Sequence, residues 1–181
     1  SSASYFYSIV AMAEIGYSIT LSSFNKSSLQ GDSNIVEIYK VFGVKTIYTE
    51  KKIKLEKVKS NMDKFSYNLT SNPDLAQTIC ITCLGLGYSC NLTGLHTLKI
   101  KETDRLIALK NELGKFGLTV AINEDSISFG SYKDILKPNV MIKTYDDHRM
   151  AMSFACLAMK TNIIIYNPSV VTKSYISFWL D

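Results

Sequence analysis

The sequence predicts an α/β fold built from repeated modules, and three observations carry the prediction. Apolar helical segments alternate along the chain with short runs of β-forming residues. The alternation recurs with a period of roughly 73 residues, longer than the common solenoid units. Gly43 and Gly117 stand at matching places, each after an amphipathic segment and each before two short strands.

The first module opens with an apolar helix over 4–15, followed by Gly16 and a β-rich run over 17–21. An amphipathic helix follows over 32–42. Gly43 stops it, because a helix end needs a residue that tolerates positive φ. Two strands then flank a turn at Glu50-Lys51-Lys52. The second module repeats this order. Pro73, suited to a first helical turn, starts a helix over 73–86, with a β-rich run over 89–92 and a second helix over 101–116. Gly117 stops that helix, and two strands flank Glu124-Asp125-Ser126. Glu50 aligns with Glu124, and Ile53 with Ile127. The third module has a helix over 147–159, a β-rich run over 162–166 and a helix over 172–180, where it ends. Each module reads helix, strand, helix, two-stranded hairpin.

At 181 residues the chain is long enough for one domain with a sizeable core. Hydrophobic residues make up 46% and charged residues 20%, the balance of a soluble globular protein. The net charge of +4 is too small and too dispersed for a nucleic-acid-binding protein, but suits one that handles small anions. No apolar run is long enough for a membrane span. There is no basic leader, and the first residue is not Met, so the chain is expected to begin inside a longer cytoplasmic protein. The cysteines, Cys80, Cys83, Cys90 and Cys156, show no disulfide framework. Cys80 and Cys83 form a lone CxxC with no second ligand pair. They read as small core residues rather than as a metal or redox site.

Three motifs carry chemistry. Lys101-Glu102-Thr103-Asp104-Arg105-Leu106 opens the helix running to Phe116, with Lys101 and Arg105 on one face. Cations in a first turn oppose the helix dipole. The motif is either a solvated salt-bridged face or an anion site made of cations and free N–H groups. Tyr145-Asp146-Asp147-His148-Arg149-Met150 repeats the pattern, with Asp147 as N-cap and Arg149 in the first turn. Asn72-Pro73-Asp74 starts the middle helix. Taken alone, Asp74 reads as an acid favoured by the dipole. If the modules are pseudo-symmetric, these helix N-termini point the same way. They then gather Asp74, Lys101, Glu102, Arg105, His148, Arg149 and Lys173 at one end of the fold. Such a surface holds carboxylates and phosphates with Arg forks and offers two carboxylates for proton transfer.

The segments SSASYF (1–6), LQGD (29–32), NPDLAQT (72–78), KETDRL (101–106), YDDHRMAM (145–152) and NPSVVTKSY (167–175) resemble the EPSP synthase family in order and spacing, over the entire chain. The resemblance implies an inside-out α/β lobe of βαβαββ modules. Residues 1–181 would form a single lobe, the C-terminal part of a two-lobe enolpyruvyltransferase whose N-terminal half is absent. It implies transfer of the enolpyruvyl group of phosphoenolpyruvate to the 5-hydroxyl of shikimate 3-phosphate, in the shikimate pathway to aromatic amino acids. No metal or organic cofactor is implied.

By motif, Asp74 resembles the carboxylate that holds the shikimate hydroxyls and takes the nucleophile's proton. Lys101 resembles a ligand of shikimate 3-phosphate, and Glu102 the acid that protonates the phosphoenolpyruvate methylene. Arg105 and Arg149 resemble the pair gripping the phosphoenolpyruvate carboxylate, and Lys173 the lysine near its phosphate. His148 resembles a support for Glu102. Thr97 stands where many members carry Asn, and Ile176 where Pro is usual. Without its partner lobe the chain is expected to be inactive. Two rival readings are the sister enolpyruvyltransferase acting on UDP-N-acetylglucosamine, which has no reason to carry KETDR, and a non-catalytic binding module of the same fold. A pure binding module has no need for the proton-transfer pair Asp74 and Glu102.

Overall fold

The computed structural model describes residues 2–22, 33–100 and 104–167. In chain order these form α1 (Ala3–Met12), β1 (Ser18–Leu21), α2 (Ser33–Val41), β2 (Val44–Tyr48), β3 (Ile53–Lys57) and β4 (Lys64–Asn68). A 3₁₀ turn (Pro73–Leu75) then leads into α3 (Ala76–Leu86) and β5 (Ser89–Thr93). A second 3₁₀ turn (His96–Ile100) precedes α4 (Arg105–Gly114), β6 (Val120–Ile122), β7 (Ile127–Phe129) and β8 (Val140–Lys143). Last come α5 (His148–Ala155), a 3₁₀ turn (Cys156–Met159) and β9 (Ile163–Tyr166).

The middle module is complete. Strand β4 runs parallel to β5 through α3, and β5 pairs antiparallel with β7, which pairs with β6. The chain order βαβαββ matches what the resemblance implied, and the sheet order is β4-β5-β7-β6. The first module shows the same arrangement from its first helix onward, in the sheet β1-β3-β2. Leu21 faces Ile53 there as Leu92 faces Ile127 in the second sheet. The third module begins with the parallel pair β8 and β9 around α5.

Strands β4 and β8, which lead into α3 and α5, are absent from the helix-first modules read from periodicity. Each is short, and its pairing comes from a strand about 23–25 residues further on, which local pattern does not reveal. The first helix ends at Met12, not near residue 15. Ala13 is extended, and the chain turns to pair with β3: Gly16 N–H donates to the Lys57 carbonyl and Lys57 N–H to the Tyr17 carbonyl. The predicted helix over 172–180 lies outside the described residues.

Helices α1, α3 and α5 form the interior. Every residue of α3 from Ala76 to Leu84 is buried, so this helix has no solvent face. It packs on α1 along one side and on α5 along another. Gly85 permits the close approach to α1, since a Cβ there would lie 2.2 Å from the Met12 sulfur. Sheet strands alternate buried and exposed positions, as layers lying outside the helices do. The four cysteines are buried free thiols, and burial pushes the Cys156 thiol up to about 12.

Hydroxyl contacts tie the three helices together at pseudo-equivalent positions. The Ser4 and Thr78 hydroxyls lie 3.3 Å apart, and those of Thr78 and Ser153 lie 3.2 Å apart, at sequence separations of 74 and 75. One turn on, Thr82 donates its hydroxyl hydrogen to the Thr78 carbonyl at 2.9 Å. That leaves its two lone pairs for the hydroxyls of Ser8 at 2.8 Å and Tyr39 at 2.9 Å. Thr82 is thus fully satisfied at zero exposure. An aromatic chain joins the first two modules, with Phe42 against Phe65 at 4.8 Å and Tyr88 at 5.7 Å.

Thr82→Val keeps the shape of the side chain but removes the acceptor for two buried hydroxyls. Each stranded donor costs about 1–3 kcal/mol, so the variant should lose about 2–6 kcal/mol in urea unfolding. A loss below about 0.5 kcal/mol would show that Ser8 and Tyr39 find other acceptors.

Candidate functional site

The site is assembled from three chain segments that precede or open helices. Asp74 lies in the 3₁₀ turn ahead of α3, Arg105 is the first residue of α4, and Arg149 the second residue of α5. Asn72, Pro73 and Leu75 place Asp74: Pro73 sits in the first turn, and Leu75 is buried and anchors the turn to the core.

Helix α4 begins at Arg105 and not at Lys101. Asp104 is extended and accepts hydrogen bonds from the N–H groups of Leu106 and Ile107, at 3.1 and 3.2 Å. This is an N-cap, and it sets the helix start four residues after the predicted one. Lys101 and Glu102 lie outside the described residues, as does Lys173.

Arg105 is a cation in a buried place, its side chain only 5% exposed. Its Nε donates to an Asp147 carboxylate oxygen at 2.7 Å, and one terminal nitrogen donates to Asp74 at 3.2 Å. A guanidinium out of water is tolerable only when it is paired and hydrogen-bonded. Asp147, 1% exposed, performs two tasks with its two oxygens. One holds Arg105, and the other accepts the Arg149 backbone N–H at 2.9 Å as the N-cap of α5. Reading the sequence identified the cap but missed the pairing, because residues 42 apart carry no local signal of contact.

Asp74 is the open member of the cluster, 38% exposed. One carboxylate oxygen meets Arg105, and the other lies 3.5 Å from a terminal nitrogen of Arg149, itself 23% exposed. Two guanidinium groups from different modules thus converge on one carboxylate. Arg105, Arg149, Asp74 and Asp147 balance in formal charge, with the accessible half on Asp74 and Arg149. His148 opens α5 and is partly buried. The structure therefore brings together Asp74, Arg105 and Arg149 of the residues singled out from the sequence, and adds Asp147. Among the described residues no His, Cys, Asp and Glu cluster could hold a metal ion.

A concavity of about 850 Å³ lies elsewhere, on the β4–β7 sheet between Phe65, Asn91 and Phe129. It holds none of these charged groups.

Comparison with known proteins places the chain. The family model for EPSP synthase (3-phosphoshikimate 1-carboxyvinyltransferase) matches residues 1–181. A 3-phosphoshikimate 1-carboxyvinyltransferase of Bacteroides fragilis is 42% identical over the whole chain, which spans 44% of that relative's length. One from Pasteurella multocida is 33% identical over 99% of the chain and 40% of its own length. Among solved structures, an EPSP synthase of Acinetobacter baumannii superposes with a TM-score of 0.75 at 22% identity, covering 98% of this chain and 43% of that one. The chain belongs to the EPSP synthase family and spans less than half the length of these relatives.

Asp147→Ala removes both the cap and the partner of a buried cation. Breaking a buried pair from one side costs about 3–5 kcal/mol, whereas Asn keeps a capping oxygen. Chemical denaturation should rank wild type above Asp147→Asn, and Asp147→Asn above Asp147→Ala. Equal stability of Asn and Asp at this position would show that the Arg105 charge does not need Asp147.

Proposed function

We propose that, within the full-length protein, this chain forms one wall of an enolpyruvyl-transfer site. The enzyme is then a cytoplasmic member of the shikimate pathway acting on phosphoenolpyruvate and shikimate 3-phosphate. The observation that supports the reading best is the convergence of Arg105 and Arg149 on a single carboxylate, that of Asp74. Two forks from different helices make a place suited to the carboxylate of phosphoenolpyruvate.

In this reading Asp74 exchanges its contact with Arg149 for the shikimate hydroxyls when the substrates bind. The 5-hydroxyl oxygen adds to the enol carbon of phosphoenolpyruvate, and its proton passes to Asp74. Glu102 delivers a proton to the methylene carbon, which becomes a methyl group. The tetrahedral intermediate then loses phosphate as a methyl proton returns to Glu102, restoring the double bond. Lys101 binds shikimate 3-phosphate, Lys173 lies near the leaving phosphate, and His148 supports Glu102. Residues 1–181 act as the C-terminal lobe, and the N-terminal lobe supplies the opposite wall. The reaction needs no redox step, so nothing in it calls for an organic cofactor.

The test is phosphate release by the full-length protein with both substrates. Turnover should require both, and Glu102→Gln should lower kcat by about 10²–10⁴-fold while leaving shikimate 3-phosphate binding nearly unchanged. Full activity in Glu102→Gln would remove that residue from the mechanism.

The isolated chain should bind phosphoenolpyruvate weakly and release no phosphate, because positioning by the second wall contributes roughly 7–11 kcal/mol of the barrier reduction. Adding the separately expressed N-terminal half should restore turnover. Phosphate release by the chain alone would contradict the split site.

A further inference from the structure

We propose that Glu112 is a positioning residue that acts through Tyr145 on Arg149, an inference that rests on the anion-site reading above. Glu112 is 1% exposed and lies on α4 two turns after Arg105, on the same face of that helix. One of its carboxylate oxygens accepts the Lys143 backbone N–H at 2.8 Å and the other accepts the Tyr145 hydroxyl at 2.7 Å. Lys115 balances its charge and in turn donates to the Met141 carbonyl at 2.8 Å. A single carboxylate therefore grips both the end of β8 and the first residue of the turn that follows.

That turn is the strained part of the site. Tyr145 and Asp146 have φ of 56° and 54°, in the left-handed region that costs a non-glycine residue about 1–3 kcal/mol. Two such residues in succession persist only where surrounding contacts impose them. The turn closes with Asp147 N–H donating to the Thr144 carbonyl at 2.9 Å, and its next residues are the Asp147 cap, His148 and Arg149. The direction in which α5 leaves β8, and so the place of the Arg149 guanidinium relative to Arg105, depends on these two left-handed residues. Burial and the neighbouring Glu112 raise the Tyr145 phenol to about 12, which keeps it a donor throughout the neutral range.

The contacts to the Asp74 carboxylate come from Arg105 and Arg149, whereas Glu112 and Tyr145 bond to each other at the turn before α5. Their role is therefore to aim the site. A residue that aims Arg149 affects the ligand held there more than the other substrate, and it acts as a unit with its partner.

The experiment compares wild type, Tyr145→Phe, Glu112→Gln and the double variant in the full-length protein. Tyr145→Phe removes one hydroxyl from a half-buried ring and is the variant expected to fold without difficulty. It should raise KM for phosphoenolpyruvate on the order of tenfold, leave KM for shikimate 3-phosphate within about twofold, and leave the melting temperature within a few degrees. Glu112→Gln should do the same or more, and the double variant should be no worse than Glu112→Gln alone. Amide hydrogen exchange across 144–150 should be faster in Tyr145→Phe than in wild type. An unchanged KM for phosphoenolpyruvate with unchanged exchange would overturn the proposal. So would an equal rise for both substrates that tracks a loss of stability. Should wild type itself fail to turn over both substrates, the enolpyruvyl reading falls, and the exchange comparison still decides whether this strut holds the turn.

Discussion

Helix α3 must find a partner on every side, and most of the architecture follows from that constraint. All of its residues from Ala76 to Leu84 are buried, including Gln77, Thr78 and Thr82. Helices α1 and α5 supply two of the faces; the Thr78 and Thr82 hydroxyls are matched by Ser4, Ser8, Tyr39 and Ser153, while the buried Gln77 amide finds no hydrogen-bond partner among the described residues. With the helices inside, the sheets lie outside. Equivalent helices in successive modules share an environment and enter it from the same end. The hydroxyl contacts at separations of 74 and 75 residues are the physical form of the sequence repeat. Gathering helix starts at one end also gathers their exposed N–H groups, which is where anions are held.

The same geometry decides which charges are structural and which are available. Arg105 is buried by the convergence of modules and is stabilised by an Asp147 carboxylate that is equally buried. Asp74 and Arg149 remain at the rim. In the proposed reaction the buried pair fixes positions while the rim pair exchanges partners. A carboxylate ligand entering between Arg105 and Arg149 would take the place that Asp74 occupies, freeing Asp74 for the second substrate. The left-handed turn at Tyr145 and Asp146, held by Glu112, adds a second fixed point behind Arg149.

Much of this was legible in the sequence, for identifiable reasons. The repeat announced itself through Gly43 and Gly117, whose φ values of 82° and 96° no β-carbon residue adopts readily. The hairpins followed from Ile53 and Ile127, both fully buried and both at a strand start. Asp147 was readable as a cap. Strands β4 and β8 were not, because their pairing partners lie across a whole helix. Asp104 as the cap of α4 was obscured by the charged residues before it, which extended the apparent helix to Lys101. Glu112 did leave a signal: an acid seven residues after Arg105, between Leu109 and Leu113 on the apolar stripe, is a charge in a core position. Its partners, Lys143 and Tyr145, could come only from the folded chain.

The most direct measurement of the central claim is a crystal structure of the full-length protein with shikimate 3-phosphate and an unreactive phosphoenolpyruvate analogue. The account predicts the analogue's carboxylate between Arg105 and Arg149, with Asp74 turned from Arg149 toward a shikimate hydroxyl and the Arg105–Asp147 pair unchanged. An analogue bound elsewhere, with the Arg105–Asp74–Arg149 bridge intact, would contradict it.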